Sequence, residues 1–377
     1  MESQAAVLVL TYLIFLYGGC EVCADCDNIT QFSTQLDTLL AEYDRESPPA
    51  SLVIIELDLD PRHASIQEDT STARMLADLR MTWEDSRITW NSTDWGCESA
   101  LAPAERLWLP DVGLVNAAAT GDEAGLRARL TSEGRVTWHT RFDVNVPVAM
   151  QLKDWPYDEQ TVAFKFASRG YTLEQVELEL SDDQQQATVS ESGAWELVSV
   201  MGTRAVWMRG TDSRRLISWQ VTLKRRGAAH ARASATVLFA TVLLLAAAMV
   251  LPPEHRHPLY ATAAFVATLW LISALLRLPS SASTPTLLTL QGALCACGGV
   301  LSVLAALVAR VAVFTSTPPH ALRQFVFTAS KICKLSLQEE LSTEGTWRAA
   351  ARLLDMIVLA VAALVLFVLT CYAISVL

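Results

Sequence analysis

Four runs in the second half of the chain, Ala233 to Leu251, Leu259 to Leu278, Leu287 to Phe314 and Met356 to Leu377, are apolar almost without interruption. Each is close to the ~20 residues that a helix needs to cross the hydrocarbon of a bilayer. A helix on the face of a soluble domain keeps a polar stripe, and these runs have none; the charges that intrude, Arg277 and Arg310, sit near run ends. The pattern predicts four membrane-spanning helices at about 233–251, 259–278, 287–314 and 350–377, and it excludes an ordinary soluble protein. Pro252 and Pro253 break the first run, residues 280–286 link the second to the third without charge, and a longer stretch, 315–347, forms an expected intracellular link. Within it "ALRQFVFTASKICKL" has the pattern of an amphipathic helix on a membrane surface.

The first half reads differently. Residues 1–24 hold an apolar segment of signal-peptide length with small residues near Val22-Cys23-Ala24, which predicts a signal peptide cleaved before Asp25; a fifth span is the alternative. "ITQFSTQLDTLLAEYD" then sets Ile29, Phe32, Leu36, Leu39 and Leu40 on one side of a helix. From there the period changes to two. The runs beginning "ASLVIIELDLD", "RMTWEDSRITW", "GRVTWHTRFDVNV", "TVAFKFAS", "QVELELS", "GAWELVSVM" and "RLISWQVTLK" are strand-like and parted by turn residues. Residues 25–226 are thus expected to form an all-β extracellular sandwich with an N-terminal helix, followed over 227–377 by a four-helix transmembrane bundle.

The formal net charge of −11 makes nucleic acid an improbable partner. No nucleophile and base, and no metal-ligand spacing, point to an enzyme; His63 and His139 stand without partners in sequence, and no cofactor is expected. Cys20 and Cys23 resemble a zinc or redox half-site, but no second pair completes it. Cys26 and Cys97 are the candidates for a disulfide once a signal is removed, with Cys20 and Cys23 as competitors. Asn28-Ile29-Thr30 and Asn91-Ser92-Thr93 are glycosylation acceptors, which agree with an outside location for this domain.

Several motifs in order carry a family resemblance. Trp83-Glu84-Asp85-Ser86-Arg87-Ile88-Thr89-Trp90 resembles a W-x-D-x-R-L-x-W strand, Trp108-Leu109-Pro110-Asp111 a W-x-P-D segment followed by Asn116, and Gly134-Arg135-Val136-Thr137-Trp138 a Gly-x-Val-x-Trp hairpin, all ahead of Asp154-Trp155-Pro156-Tyr157-Asp158. With four spans behind them, these resemble a subunit of the pentameric ligand-gated ion channels, the Cys-loop receptor superfamily. The two cysteines of the family's signature loop are matched here by Val148 and Val162.

The resemblance implies a plasma-membrane channel with the large domain and the C-terminus outside, assembled as a homopentamer in membrane lipid and passing inorganic ions. It implies that Trp155, Pro156 and Tyr157 rest against the link between spans two and three, and that Asp158 pairs with Arg225 or Arg226. It aligns the agonist cleft with Val115, Arg169, Tyr171, Trp207 and either Arg214 or Arg215, with Asp78 supplied by the neighbouring subunit. That set does not build an aromatic cage for a quaternary ammonium. It suits an anionic or zwitterionic ligand, or else forms surface charges lining a cleft that no agonist uses. Along the second span, His255, Pro258, Thr262, Phe265, Leu269, Ile272 and Leu276 recur at steps of three and four as a pore stripe beyond Glu254. Glu254 favours cations, while Arg256 and two histidines stand beside it. The reading is a ligand-gated channel; the alternative is a pentameric receptor or sensor that binds a ligand and conducts poorly.

Overall fold

Alternation of apolar and polar side chains becomes alternation of buried and exposed positions in two facing sheets. A computed structural model describes residues 29–181, 193–209, 212–279, 281, 283–332 and 343–376. The expected signal peptide, with Cys20, Cys23, Cys26 and Asn28, lies outside the described residues. Helix α1, Ile29–Ala41, buries Phe32, Leu36 and Leu40 against the domain. Ten strands follow: β1 Val53–Gln67, β2 Thr72–Glu84, β3 Ser99–Pro103, β4 Val112–Leu114, β5 Ala119–Thr131, β6 Arg135–Pro147, β7 Glu159–Ser168, β8 Val176–Leu180, β9 Trp195–Arg209 and β10 Asp212–Arg225. A short helix α2, Ser92–Trp95, sits between β2 and β3. One sheet has the order β3-β5-β6-β2-β1-β8 and the other β4-β7-β10-β9.

The two sheets meet through aromatic edges: Phe142 of the first lies 5.6 Å from Phe166 of the second, which in turn lies 5.1 Å from Trp219. Such edge-to-face pairs add to the burial of large rings on both inner faces. The motif from Trp83 to Trp90 ends β2 and turns outward after Glu84, so its second half is a loop and not a strand. Its acid explains the motif. Asp85 is fully buried and accepts hydrogen bonds from Arg87 Nε at 2.9 Å and Nη2 at 2.8 Å and from Tyr43 Oη at 2.7 Å. A buried carboxylate without such donors would be strongly unfavourable.

Three strands escaped the period-two reading. β3 and β4 are too short to show alternation, and β5, "ATGDEAGLRARLT", is rich in Ala, Gly and charge. β5 is held by pairing on both flanks, with β3 and with β6, across an irregularity between Ala124 and Ala128.

Five helices complete the chain: α3 Ala228–Val250, α4 Pro253–Leu275, α5 Thr286–Ala312, α6 His320–Ile332 and α7 Thr343–Val376. All but α6 are long and apolar enough to span a membrane. These helices run beyond the apolar runs at their starts. α3 starts at Ala228, five residues before Ala233, and α7 at Thr343 instead of near 350. α4 starts at Pro253 instead of 259, because proline at the first helical position loses only an N–H that has no partner there; Pro258 is taken into the helix. The turn before it shrinks to Leu251 and Pro252.

Candidate functional site

The link between β6 and β7 touches the helical part of the chain. Backbone turns from Leu152 O to Trp155 N, 3.1 Å, and from Asp154 O to Tyr157 N, 3.0 Å, direct Trp155 inward and leave Tyr157 48% exposed. The Trp155 ring lies 5.9 Å from His230 on α3 and 6.5 Å from Trp270 on α4. The contact to the start of α5 is made by the Lys153 carbonyl, which accepts from both the backbone N and the Oγ1 of Thr286 at 3.0 Å. Trp155 is thus set beside α3 and α4, Tyr157 is exposed, and Pro156 sits against Gly227, where a Cβ would overlap its carbonyl oxygen. Gly227 is thus a close-approach glycine.

Asp158 is buried beside it. Arg225 Nε donates to its Oδ1 at 2.6 Å and Nη2 to its Oδ2 at 3.3 Å, while Gln160 Nε2 donates to Oδ2 at 2.8 Å. Arg225 also donates through Nη1 to Glu68 and stacks over Trp195 at 4.4 Å. Burial by itself would lower the Arg225 guanidinium, yet the hydrogen bonds and charges of Asp158 and Glu68 outweigh it and hold it above its ordinary value. Arg226 faces Glu196, with 3.9 Å between Nε and Oε2.

The residues aligned with the cleft divide between the sheets. Val115, Arg169, Tyr171, Trp207 and Arg214 belong to the four-stranded sheet and its loops, and Asp78 to β2 of the other. Asp78 is bound on its own sheet by Arg62 Nε and Arg141 Nε, both at 2.9 Å. Burial, the largest single influence, raises its carboxyl, but those two arginines together bring it below the usual carboxylate range. The Tyr171 hydroxyl accepts from Trp108 Nε1 at 3.2 Å, so this ring is tied into the domain. Val115 is exposed and donates its N–H to Lys165 O at 2.8 Å. Arg169 lays its guanidinium over Gly113. Arg214 pairs across the hairpin with Trp207 and donates Nη1 to the carbonyls of Ser168, at 3.1 Å, and of Arg169.

On α4 the stripe from Glu254 and His255 through Pro258, Thr262, Phe265, Leu269 and Ile272 to Leu276, just past the helix end, is exposed throughout. Arg256, Tyr260, Ala263, Ala267 and Ala274 are buried on the opposite face. Arg256 does not stand with Glu254: its Nη1 lies 2.5 Å from Asp355 on α7 and its Nε donates to Leu251 O at 2.6 Å. His257 pairs with Ser302 Oγ of α5 at 2.6 Å, which leaves His255 as the histidine beside Glu254.

Cys97 is disulfide-bonded, and the expected partner Cys26 lies outside the described residues. Asn91 is exposed at the N-cap of α2, its Oδ1 accepting from Thr93 N at 3.1 Å. Sequence reading missed Glu68, Gly227 and Asp355. Asp355 alone left a signal, a single acid in the last long apolar segment; Glu68 and Gly227 matter only through residues distant in the chain.

The sequence model for the neurotransmitter-gated ion-channel ligand binding domain matches residues 33–227. The chain is 29% identical over 216 residues to the neuronal acetylcholine receptor subunit beta-4 of Bos taurus and equally to that of Homo sapiens, covering 54% of this chain and 42% of each relative. It is 33% identical over 134 residues to the neuronal acetylcholine receptor subunit alpha-2 of Homo sapiens, covering 33% of this chain and 24% of that relative. The chain thus matches less than half the length of these relatives. A β-sandwich followed by four apolar helices is the arrangement of a multi-pass plasma-membrane receptor with its large domain outside. The chain belongs to the neurotransmitter-gated ion channels of the Cys-loop receptor superfamily.

Proposed function

We propose that the chain is a subunit of a homopentameric ligand-gated channel whose pore is lined by α4 and favours cations. The observation that carries this reading is the exposure of a whole stripe of α4, from Glu254 to Leu276, in a chain that buries the opposite face of that helix. Exposed apolar residues such as Phe265, 63% exposed, and Leu269, 52%, need a partner surface or an axis. A closed ring of five supplies the axis, and α4 is the least hydrophobic of the four spans. With Arg256 neutralised by Asp355, five Glu254 carboxylates supply the charge at one mouth. A phenylalanine ring at 265 gates by excluding water.

Closure of the cleft would reach the pore through Asp158, Arg225 and the Trp155 contact with α4. The relatives' names carry acetylcholine; in this chain the cleft presents arginine where a quaternary ammonium needs aromatic faces, so its small-molecule ligand belongs to another class. The second reading, a receptor that binds and conducts poorly, is favoured by the bulk of Phe265. Mass measurement in lipid nanodiscs followed by single-channel recording in a planar bilayer tests both. A pentamer with cation current supports the channel, a pentamer that stays silent even as Phe265→Ala supports the receptor, and a monomer or dimer defeats both.

A further inference from the structure

Glu254 and Arg256, two positions apart in the first turn of α4, bring opposite charges to the same end of that helix. Glu254 is exposed at the start of the stripe, whereas Arg256 is buried on the other face. Two contacts hold the arginine there. Its Nη1 lies 2.5 Å from Asp355 Oδ1, and its Nε donates to the Leu251 carbonyl at 2.6 Å. The acid is an unusual one. α3 and α5 contain no acid, and beyond its first turn α7 contains only Asp355, after which no charge follows in the most apolar of the four spans. A carboxylate at the edge of such a run is costly unless something requires it, and Arg256 is what it meets.

A guanidinium stays charged at any working pH, so Arg256 always adds positive charge to this end of α4. Along the helix axis it stands only about 3 Å from Glu254, and the helix is about 10 Å across. Both lengths are within the screening distance of about 8–10 Å at physiological salt. Glu254 and Asp355 also line one cavity of about 820 Å³ between the ends of α4, α5 and α7, together with Arg348 and Arg352. Cations therefore surround Glu254 on this side of the bundle. Whether the exposed carboxylate sets the local sign depends on the cancellation of Arg256, and Asp355 both cancels it and keeps its side chain turned from the stripe.

We propose that Asp355 is a positioning residue for ion selectivity: from the outlying helix α7 it holds the charge of Arg256 off the pore mouth and leaves Glu254 to choose cations. This rests on the reading of α4 as the pore helix. It assigns to α7 a share in selectivity, not only in packing.

The test is the permeability ratio of potassium to chloride, read from reversal potentials of the full chain in planar bilayers under a salt gradient. Phe265→Ala serves as the open background if the unliganded channel is shut, and pentamer yield in nanodiscs is measured beside it. Asp355→Asn is expected to lower the ratio about threefold or more, since it uncovers one positive charge per subunit. Arg256→Gln is expected to keep or raise it. The double variant, Arg256→Gln with Asp355→Asn, is expected to recover the parent ratio although the bridge is gone. A mere brace predicts otherwise: the double variant would be no better than Asp355→Asn, and the loss would fall on pentamer yield and not on the ratio. If Asp355→Asn does not assemble, Arg256→Gln and the double variant carry the test, because neither leaves a buried cation unpaired, and a fall in the ratio in either overturns the proposal. So does a ratio unchanged in Asp355→Asn. Glu254→Gln separates the two readings: if it lowers the ratio and Asp355→Asn does not, α4 remains the pore helix and this inference fails alone. A chain that carries no current, or whose ratio ignores Glu254→Gln, loses both.

Discussion

Strand β10 carries two arginines in opposite circumstances. Arg225, at its membrane end, is 5% exposed and held by two carboxylates, a glutamine-braced turn and the face of Trp195. Among the described residues Arg214, near the hairpin end of the same strand, meets only carbonyl oxygens and keeps a buried N–H without an acceptor. The same side chain on the same strand is thus finished at one end and unfinished at the other. A contact completed with carboxylates braces the fold; one met only by carbonyl oxygens among the described residues leaves donor capacity open.

The most severe way to break this contrast is Asp158→Ala, which leaves a buried guanidinium with Glu68 as its remaining carboxylate. It is expected to cost about 3–5 kcal/mol in thermal or denaturant unfolding. A loss below about 1 kcal/mol would mean that the base of the domain is no more complete than the cleft. Glu68→Gln should be milder, about 1–2 kcal/mol, because Glu68 keeps 28% of its side chain exposed and a neutral amide still accepts a hydrogen bond. A double-mutant cycle of Asp158 and Glu68 against Arg225 would apportion the cluster.

Arg214→Gln should change stability by less than about 1 kcal/mol, in either direction, since it removes a charge without a carboxylate partner. A cost equal to that of Asp158→Ala would make Arg214 a structural brace and erase the comparison.

The smallest expected effect is with pH. Guanidinium groups as a class stay charged there, so any slope on the acid side of neutrality comes from elsewhere in the sandwich. Burial, then the charges of Arg80 and Arg129, hold His139 on β6 below its ordinary value, against a weaker opposite pull from Asp78 and Asp58. The fold therefore favours the neutral ring. Stability should fall as pH drops through the unfolded value of about 6.5 and level off below the folded one. His139→Gln should flatten that slope in unfolding curves; an unchanged slope would assign it to another group.

How much of this was legible depended on whether a feature repeats locally. The four spans were readable because lipid demands a long uniform run, and most strands because burial on one face imposes a period of two. β5 was not, since its Ala, Gly and charged residues are ordered by β3 and β6 on either flank and not by any preference of their own. The starts of α4 and α7 lie outside the apolar runs for a related reason: a helix continues past its apolar run wherever its polar turn finds partners, as Arg256 does with Asp355.

Partner choice was the least legible. Two adjacent arginines, Arg225 and Arg226, were equally available to Asp158 in the sequence, and β10 buries the first while the second faces Glu196. Asp158 and Arg225 stand 67 positions apart, and Glu68 is 157 positions from the arginine it also binds. By itself the sequence determined the periods, the spans and the kinds of charge present. Only the tertiary structure decided which arginine each carboxylate holds, because an ion pair depends on distance and burial, and neither is a property of neighbours along the chain.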